Sequence, residues 1–139
     1  MAAACAFCSI IGGETPAAIV YEDASCLAFL DHRPLFAGHC LLVPREHHET
    51  LPELPLHLVA PLFEASRTLA GAVQSAMQAE GTFVAINNRV SQSVPHLHVH
   101  IVPRRRKDGL KGFFWPRYPY KDQVEIEAVR QAIRRALGF

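Results

Sequence analysis

No stretch of this chain is apolar for long enough to cross a bilayer; nothing approaches the ~18 consecutive apolar residues that such a span needs. An excess of one charge is missing too, since 14 Lys and Arg face 13 Asp and Glu for a formal net charge of +1. That balance excludes the broad basic footprint of a protein that coats nucleic acid, and it leaves the local run Arg104 to Lys107 needing a local explanation. Internal repeats, low-complexity tracts and linker-like stretches are absent. The expectation is therefore one domain over residues 1–139, with a core of residues 5–103 and a C-terminal extension, 104–139. Met1 to Phe7 lacks both a basic n-region and an apolar run of signal-peptide length, which points to a cytoplasmic protein with no membrane or nucleic-acid partner. Cysteine is sparse, at 4 residues.

What is present suffices for a real core, because 50% of the residues are apolar. Cys5 to Gly12 reads as a short helix stopped by Gly12-Gly13. Ala18 to Tyr21, Cys26 to Asp31 and His39 to Pro44 read as strands. Leu58, Leu62, Ala65, Leu69, Ala72, Val73 and Met77 recur at helical spacing, which predicts one long helix from about Leu56 to Ala79, with Gly81 as its C-cap. Pro61 fits that helix poorly and suggests a later start. Phe83 to Asn87 and Pro95 to Pro103 read as two further strands. A C-terminal helix is marked by Asp122 with Glu125 and by Val129, Ala132, Ile133 and Ala136. The pattern is that of an α+β domain: an antiparallel sheet of about five strands, one long helix and a C-terminal helix.

Cys5-Ala-Phe-Cys8 has the spacing of a metal or redox pair, whereas Cys26 and Cys40 sit in apolar surroundings and read as small buried hydrophobes. The most informative segment is His96-Leu-His98-Val-His100-Ile-Val. Alternation of imidazole with aliphatic residues places all three rings on one face of a strand. Rings two residues apart, about 6.6 Å, can share an ion, but His96 and His100 are separated by about 13 Å along a strand. One cation at ~2.0–2.1 Å from each nitrogen cannot hold all three, so the run divides into different jobs. A tetrahedral structural zinc on Cys5 and Cys8 needs two more ligands, for which His47 and His96 are the candidates.

With those flanks, the run resembles the histidine triad (HIT) family of nucleotide-binding proteins and hydrolases. The Cys-x-Phe-Cys-x-Ile-Ile start, Phe29-Leu-Asp31, Gly38-His39 and Pro44-Arg-Glu-His47 carry the resemblance across residues 5–103. It implies a HIT-like fold in which His98 attacks the α-phosphate and becomes transiently nucleotidylated. His100 and His39 would lie beside the phosphate, Ser93 near the leaving group and Asn87 on the phosphate, although Asn87-Asn88 leaves that register open by one residue. Asp31 would grip the ribose, and Phe7, Ile10, Phe29 and Leu41 would surround the base. The resemblance also implies structural zinc on Cys5, Cys8, His47 and His96, a homodimer, and a purine (AMP-containing) nucleotide substrate. His32 departs from the aliphatic residue often found at its position, and the Arg89-Val90-Ser91 loop is less glycine-rich than usual.

Such chemistry suits these residues. Imidazole, with a pKa near ~6.5, is nucleophilic at neutral pH, and the phosphoramidate that it forms is reactive enough for water to discharge. Blander readings stand beside these: Asp31 as a turn residue, the apolar set as plain core, and Arg104 to Lys107 as a solvated run rather than a phosphate-attracting rim. Trp115 could stack on a base or pack a dimer surface. Hydrolysis is favoured over nucleotidyl transfer because the related uridylyltransferases carry His-Pro-His where Leu97 stands here. The alternatives are a non-catalytic nucleotide-binding adaptor, a nucleotidyltransferase, or a metalloenzyme with an ion on His98 and His100.

Overall fold

The computed structural model describes residues 4–110 and 117–139; Trp115 lies outside the described residues. The chain divides into two compact units, the first ending at Asp108 and the second running from Gly109 to Phe139.

In the first unit, a short helix α1 (Ala6–Ile11) precedes strands β1 (Ile19–Glu22), β2 (Cys26–Leu30) and β3 (Cys40–Pro44). A single 3-10 turn (Leu51–Glu53) leads into the long helix α2 (Leu56–Ala76), followed by β4 (Gly81–Ile86) and β5 (Val99–Arg104). The strands form one sheet in the order β1-β2-β3-β5-β4, and every pairing is antiparallel. Both faces are covered, which is why β2 and β3 read as unbroken apolar runs rather than as alternation. On one face, Cys26, Ala28, Cys40, Leu42, Val99 and Ile101 pack against Leu58, Leu62, Ala65, Leu69 and Val73 of α2. The intervening residues Leu27, Phe29, Leu41 and Val43 turn to the other face and meet Phe7. Each such side chain taken fully from water contributes roughly 1.5–3 kcal/mol. Extended chain of period two from His98 into β5 therefore sends Val99 and Ile101 into the α2 core and presents His98 and His100 on the opposite face.

Several local details depart from the pattern in the sequence. The long helix ends at Ala76, three residues early, and Ala72 faces outward. The left-handed position after the C-cap Met77 is taken by Gln78 (φ 51), while Gly81 opens β4 instead of capping the helix. Pro61 lies inside α2, which begins at Leu56 as drawn from the sequence; the carbonyl of His57 loses its ladder bond on an exposed turn where water can replace it. Strand β5 begins only at Val99. Residues before it run along the loop after β3, where the Leu97 N–H donates to the His48 carbonyl at 2.7 Å, so His96 and His98 precede the ladder.

The basic run is largely engaged. Arg104 pairs with Asp108 at 2.6 Å and Arg106 with Glu80 at 2.6 Å, while Arg105 donates to the Met77 carbonyl. The Glu80 contact fastens the chain after β5 beside the start of β4, and the Met77 contact ties it to the end of α2. In the second unit, helix α3 (Gln123–Ala136) is capped by Asp122, whose carboxylate accepts the Glu125 N–H at 2.9 Å, and Arg134 and Arg135 complement the dipole of its last turn. Among the described residues no helix is long and apolar enough to cross a membrane.

Candidate functional site

Backbone carbonyls orient His96 and His98 directly, and the Leu35 N–H orients His100 through His39; those partners settle which nitrogen bears the proton. His98 Nδ1 lies 2.7 Å from the His96 carbonyl, which can only accept; Nδ1 thus donates and, in the neutral ring, Nε2 keeps the lone pair. His96 Nε2 lies 2.8 Å from the Pro44 carbonyl and donates to it, leaving the lone pair on Nδ1. His39 is the reverse case: its Nδ1 accepts the Leu35 N–H at 3.1 Å, so its proton sits on Nε2. That Nε2–H donates to His100 Nδ1 at 3.1 Å, which in turn puts the His100 proton on Nε2. His100 is held neutral, because burial, then His98 and His39, push its pKa down to about 4 against the opposing pull of Asp31. Burial likewise lowers His39, which is 2% exposed, although Asp31 partly offsets the shift.

His98 and His100, with ring centroids 4.9 Å apart, open onto a cavity of about 1270 Å³. Its lining brings together Phe7, Ile10, Phe29, Leu41, Asp31 and Ser93. The apolar set serves as core and as cavity wall at once: Phe7 is 7% exposed and sits edge-on to Phe29 (5.3 Å) and to His98 (5.1 Å). Asp31 also has two parts. One oxygen accepts the Arg33 N–H at 2.9 Å as a turn residue does, and the other lies 3.7 Å from His39 Nε2. Asn87, half-buried just after β4, is not among the residues lining the cavity, and neither is the buried His39, which reaches it through His100. Asn88 Oδ1 is engaged by the Leu51 N–H at 2.8 Å. His32 and Arg33 line the cavity beside Asp31.

The second cluster lies at the opposite end of the triad. Cys5 Sγ is 3.5 Å from His96 Nδ1, Cys8 Sγ is 3.5 Å from His96 Nδ1 and 3.3 Å from His47 Nδ1, and the two Nδ1 atoms are 3.1 Å apart. All four ligand atoms fall within 4.8 Å of one another. Tetrahedral zinc with its ~2.0–2.3 Å bonds separates its donors by about 3.3–3.8 Å, so the group fits such a cation closely. The chemistry of the set agrees, since the lone pair of His96 points into it and burial first, with His47 and His98 contributing, pushes that ring down to about 4. Cys5 Sγ also accepts the Cys8 N–H as the N-cap of α1. By contrast, Cys26 is buried away from both sites, and burial raises its thiol to about 11.

A backbone carbonyl behind His98 is a reasonable expectation from the triad alone, but the sequence does not name the orienting groups, which are the Leu35 N–H and the carbonyls of Pro44 and His96. They are main-chain atoms, and no residue type signals them.

Comparison with known proteins follows the same lines. The family model described as the HIT domain matches residues 12–107. The adenosine 5'-monophosphoramidase hnt1 of Schizosaccharomyces pombe is 36% identical over 131 residues, covering 93% of this chain and 95% of its own. A crystal structure of a member of the HIT family from Bacillus subtilis superposes with a TM-score of 0.86 at 34% identity, covering 94% of this chain and 95% of the other. A zinc-bound histidine triad family protein from Mycobacterium smegmatis superposes with a TM-score of 0.73 at 34% identity, covering 95% and 96% of the two chains.

Proposed function

Because the chain belongs to the HIT family, we propose that it is a nucleotide hydrolase that cleaves at the α-phosphate through a covalent nucleotidyl intermediate on His98. The observation that carries this reading is the His98 ring itself, locked by the His96 carbonyl with its Nε2 lone pair available at a cavity large enough to admit a nucleotide. The base lies in the slot of Phe7, Ile10, Phe29 and Leu41, and the ribose hydroxyls meet Asp31. His98 Nε2 attacks the α-phosphorus; a P–N bond forms as the bond from phosphorus to the leaving nitrogen or oxygen breaks, and the leaving group departs with that electron pair. The Nε2–H of His100 offsets the charge gathering on the phosphoryl oxygens, aligned by the chain that runs back through His39 to the Leu35 N–H. Ser93, on the cavity wall, passes a solvent proton to the leaving atom. Water then attacks phosphorus and gives up a proton to solvent, replacing the one taken by the leaving atom, as the P–N bond breaks with its electron pair returning to His98 Nε2; one water is consumed for each nucleoside monophosphate released. Asn87 would contact the phosphate only with substrate bound. Zinc on Cys5, Cys8, His47 and His96 would supply rigidity and take no part in the reaction.

The test is AMP release from adenosine phosphoramidate, diadenosine triphosphate and diadenosine tetraphosphate by the wild-type protein and by His98→Ala. Release should fall by about 10³-fold or more in the variant while AMP still binds. Hydrolysis that survives His98→Ala would overturn the covalent route. Binding with no release by either protein would leave an adaptor.

A further inference from the structure

We infer that α1 is a cation-clamped wall of the nucleotide cavity, so that a metal on the Cys5–Cys8–His47–His96 cluster and a nucleotide bind cooperatively. The inference rests on the nucleotide reading above and concerns how the two sites are joined.

The segment that bears both cysteines also supplies much of the cavity. Ala6, Phe7, Ser9, Ile10, Thr15 and Pro16 all line it. Yet this segment is weakly fastened to the sheet. Among the described residues, the backbone hydrogen bonds of the α1 segment are internal, running from Ser9 to Cys5, Gly12 to Cys8, Gly13 to Ile10, and Glu14 and Thr15 to Ser9. The first backbone bond that joins it to the sheet is from the Leu30 N–H to the Ala18 carbonyl at 3.0 Å. A helix of 6 residues is far below the length at which a helix holds itself in water. Its anchorage is therefore made of side chains: the cysteines facing His47 and His96, and Phe7 with Ile10 and Ile11 in the smaller core cluster.

Phe7 joins the two sites because of its position between the cysteines. Its ring meets His96 of the cluster (6.0 Å between centroids) and His98 of the cavity (5.1 Å, interplanar angle 87°). Fixing Cys5 and Cys8 fixes Phe7, and with it the base wall and the edge against which the His98 ring rests. Without the clamp, a nucleotide must order that wall at the expense of its own affinity. Two ligands that each favour the ordered wall then assist one another by the same factor, as linkage requires.

The experiment uses the full chain, zinc-loaded and chelator-stripped, and measures AMP affinity by calorimetry. In parallel, zinc affinity is measured by competition with a chromophoric chelator, with and without saturating AMP. Hydrogen exchange is followed in α1 and in β3 and β5. AMP should bind about ten- to a hundredfold more weakly to the stripped protein, AMP should tighten zinc by the same factor, and stripping should deprotect α1 while the strands stay protected. Equal AMP affinity in the two forms would overturn the clamp and leave the nucleotide reading standing. AMP binding by neither form would instead overturn the nucleotide reading. Loss of protection in β3 and β5 together with α1 would make the cation a staple for the whole unit, and the clamp would fail. Cys8→Ser, which keeps Phe7 and the sheet intact, should reproduce the stripped affinity for AMP without any chelator.

Discussion

Acidification should destabilise this fold through His100 in a way that one substitution removes. Burial, followed by His98 and His39, holds its folded-state pKa at about 4 against a reference value of 6.5. Between those values the unfolded chain binds a proton that the folded chain refuses. The contribution is complete above pH 6.5 and is lost as pH falls toward the folded pKa. At about 1.4 kcal/mol per pKa unit the full displacement corresponds to about 3 kcal/mol. His100 lines an open cavity, and solvent screening lowers the expected value to about 2 kcal/mol. The assay is a series of urea midpoints from about pH 7.5 to pH 4, with a chelator throughout so that metal release is not part of the signal, on the wild-type protein and His100→Gln. His96 titrates in both proteins and cancels in the difference, while glutamine is chosen at position 100 because its carbonyl can accept the His39 Nε2–H in place of His100 Nδ1. Relative to its own value at neutral pH, the wild type should lose about 2 kcal/mol more than the variant, with the loss gathering below pH ~6.5. Stability curves that run parallel across the whole interval would refute the reasoning, because they would mean that His100 takes its proton as readily folded as unfolded.

Two further predictions concern the backbone. Gly38, immediately before His39, has φ +97, and a Cβ there would stand 2.6 Å from Met77 Cγ. Gly38→Ala should cost about 1–3 kcal/mol in urea unfolding, and Met77→Ala should recover only the part due to contact, leaving the part due to the positive φ. Gln78, exposed at φ 51 after the C-cap of α2, occupies a position that glycine takes without strain; Gln78→Gly should raise stability by about 0.5–1 kcal/mol, seen as a higher Tm.

The elements were legible where local pattern and global packing agree. The stripe from Leu58 to Val73 marked α2, and the apolar runs of β2 and β3 marked strands covered on both faces. The boundaries were less legible because distant partners set them: the start of β5 is delayed by the bond between Leu97 and His48, which no local preference encodes. The same holds at the helix end, where Gly81 carried the expected residue type but Gln78 took the strained position. In the site, the side chains could be named from the triad and the Cys-x-x-Cys spacing. Their tautomers could not, since the group orienting His96 comes from Pro44, 52 residues away, and is a carbonyl that any residue would offer.

Under the proposed function, those tautomers explain how one run of alternating histidines can face a cation on one side and an anion on the other. Among the described residues, two groups have the spacing of metal ligands: Cys5–Cys8–His47–His96 and Asp31–His39–His100. Spacing alone does not separate them. In the first, the Pro44 carbonyl takes the proton side of His96, and its lone pair turns toward two thiols and a second imidazole nitrogen. Such a concentration of donor atoms is satisfied by a cation. In the second, the Leu35 N–H occupies His39 Nδ1, so a proton already stands on Nε2, between Asp31 and His100. A metal ion there must expel that proton or break the Leu35 bond, whereas the existing arrangement passes a hydrogen-bond donor on to His100 Nε2. A phosphoryl oxygen can accept from that N–H while the phosphorus meets the lone pair of His98. Reversing either backbone partner would exchange a donor for a lone pair, and with it the sign of the charge that the site prefers.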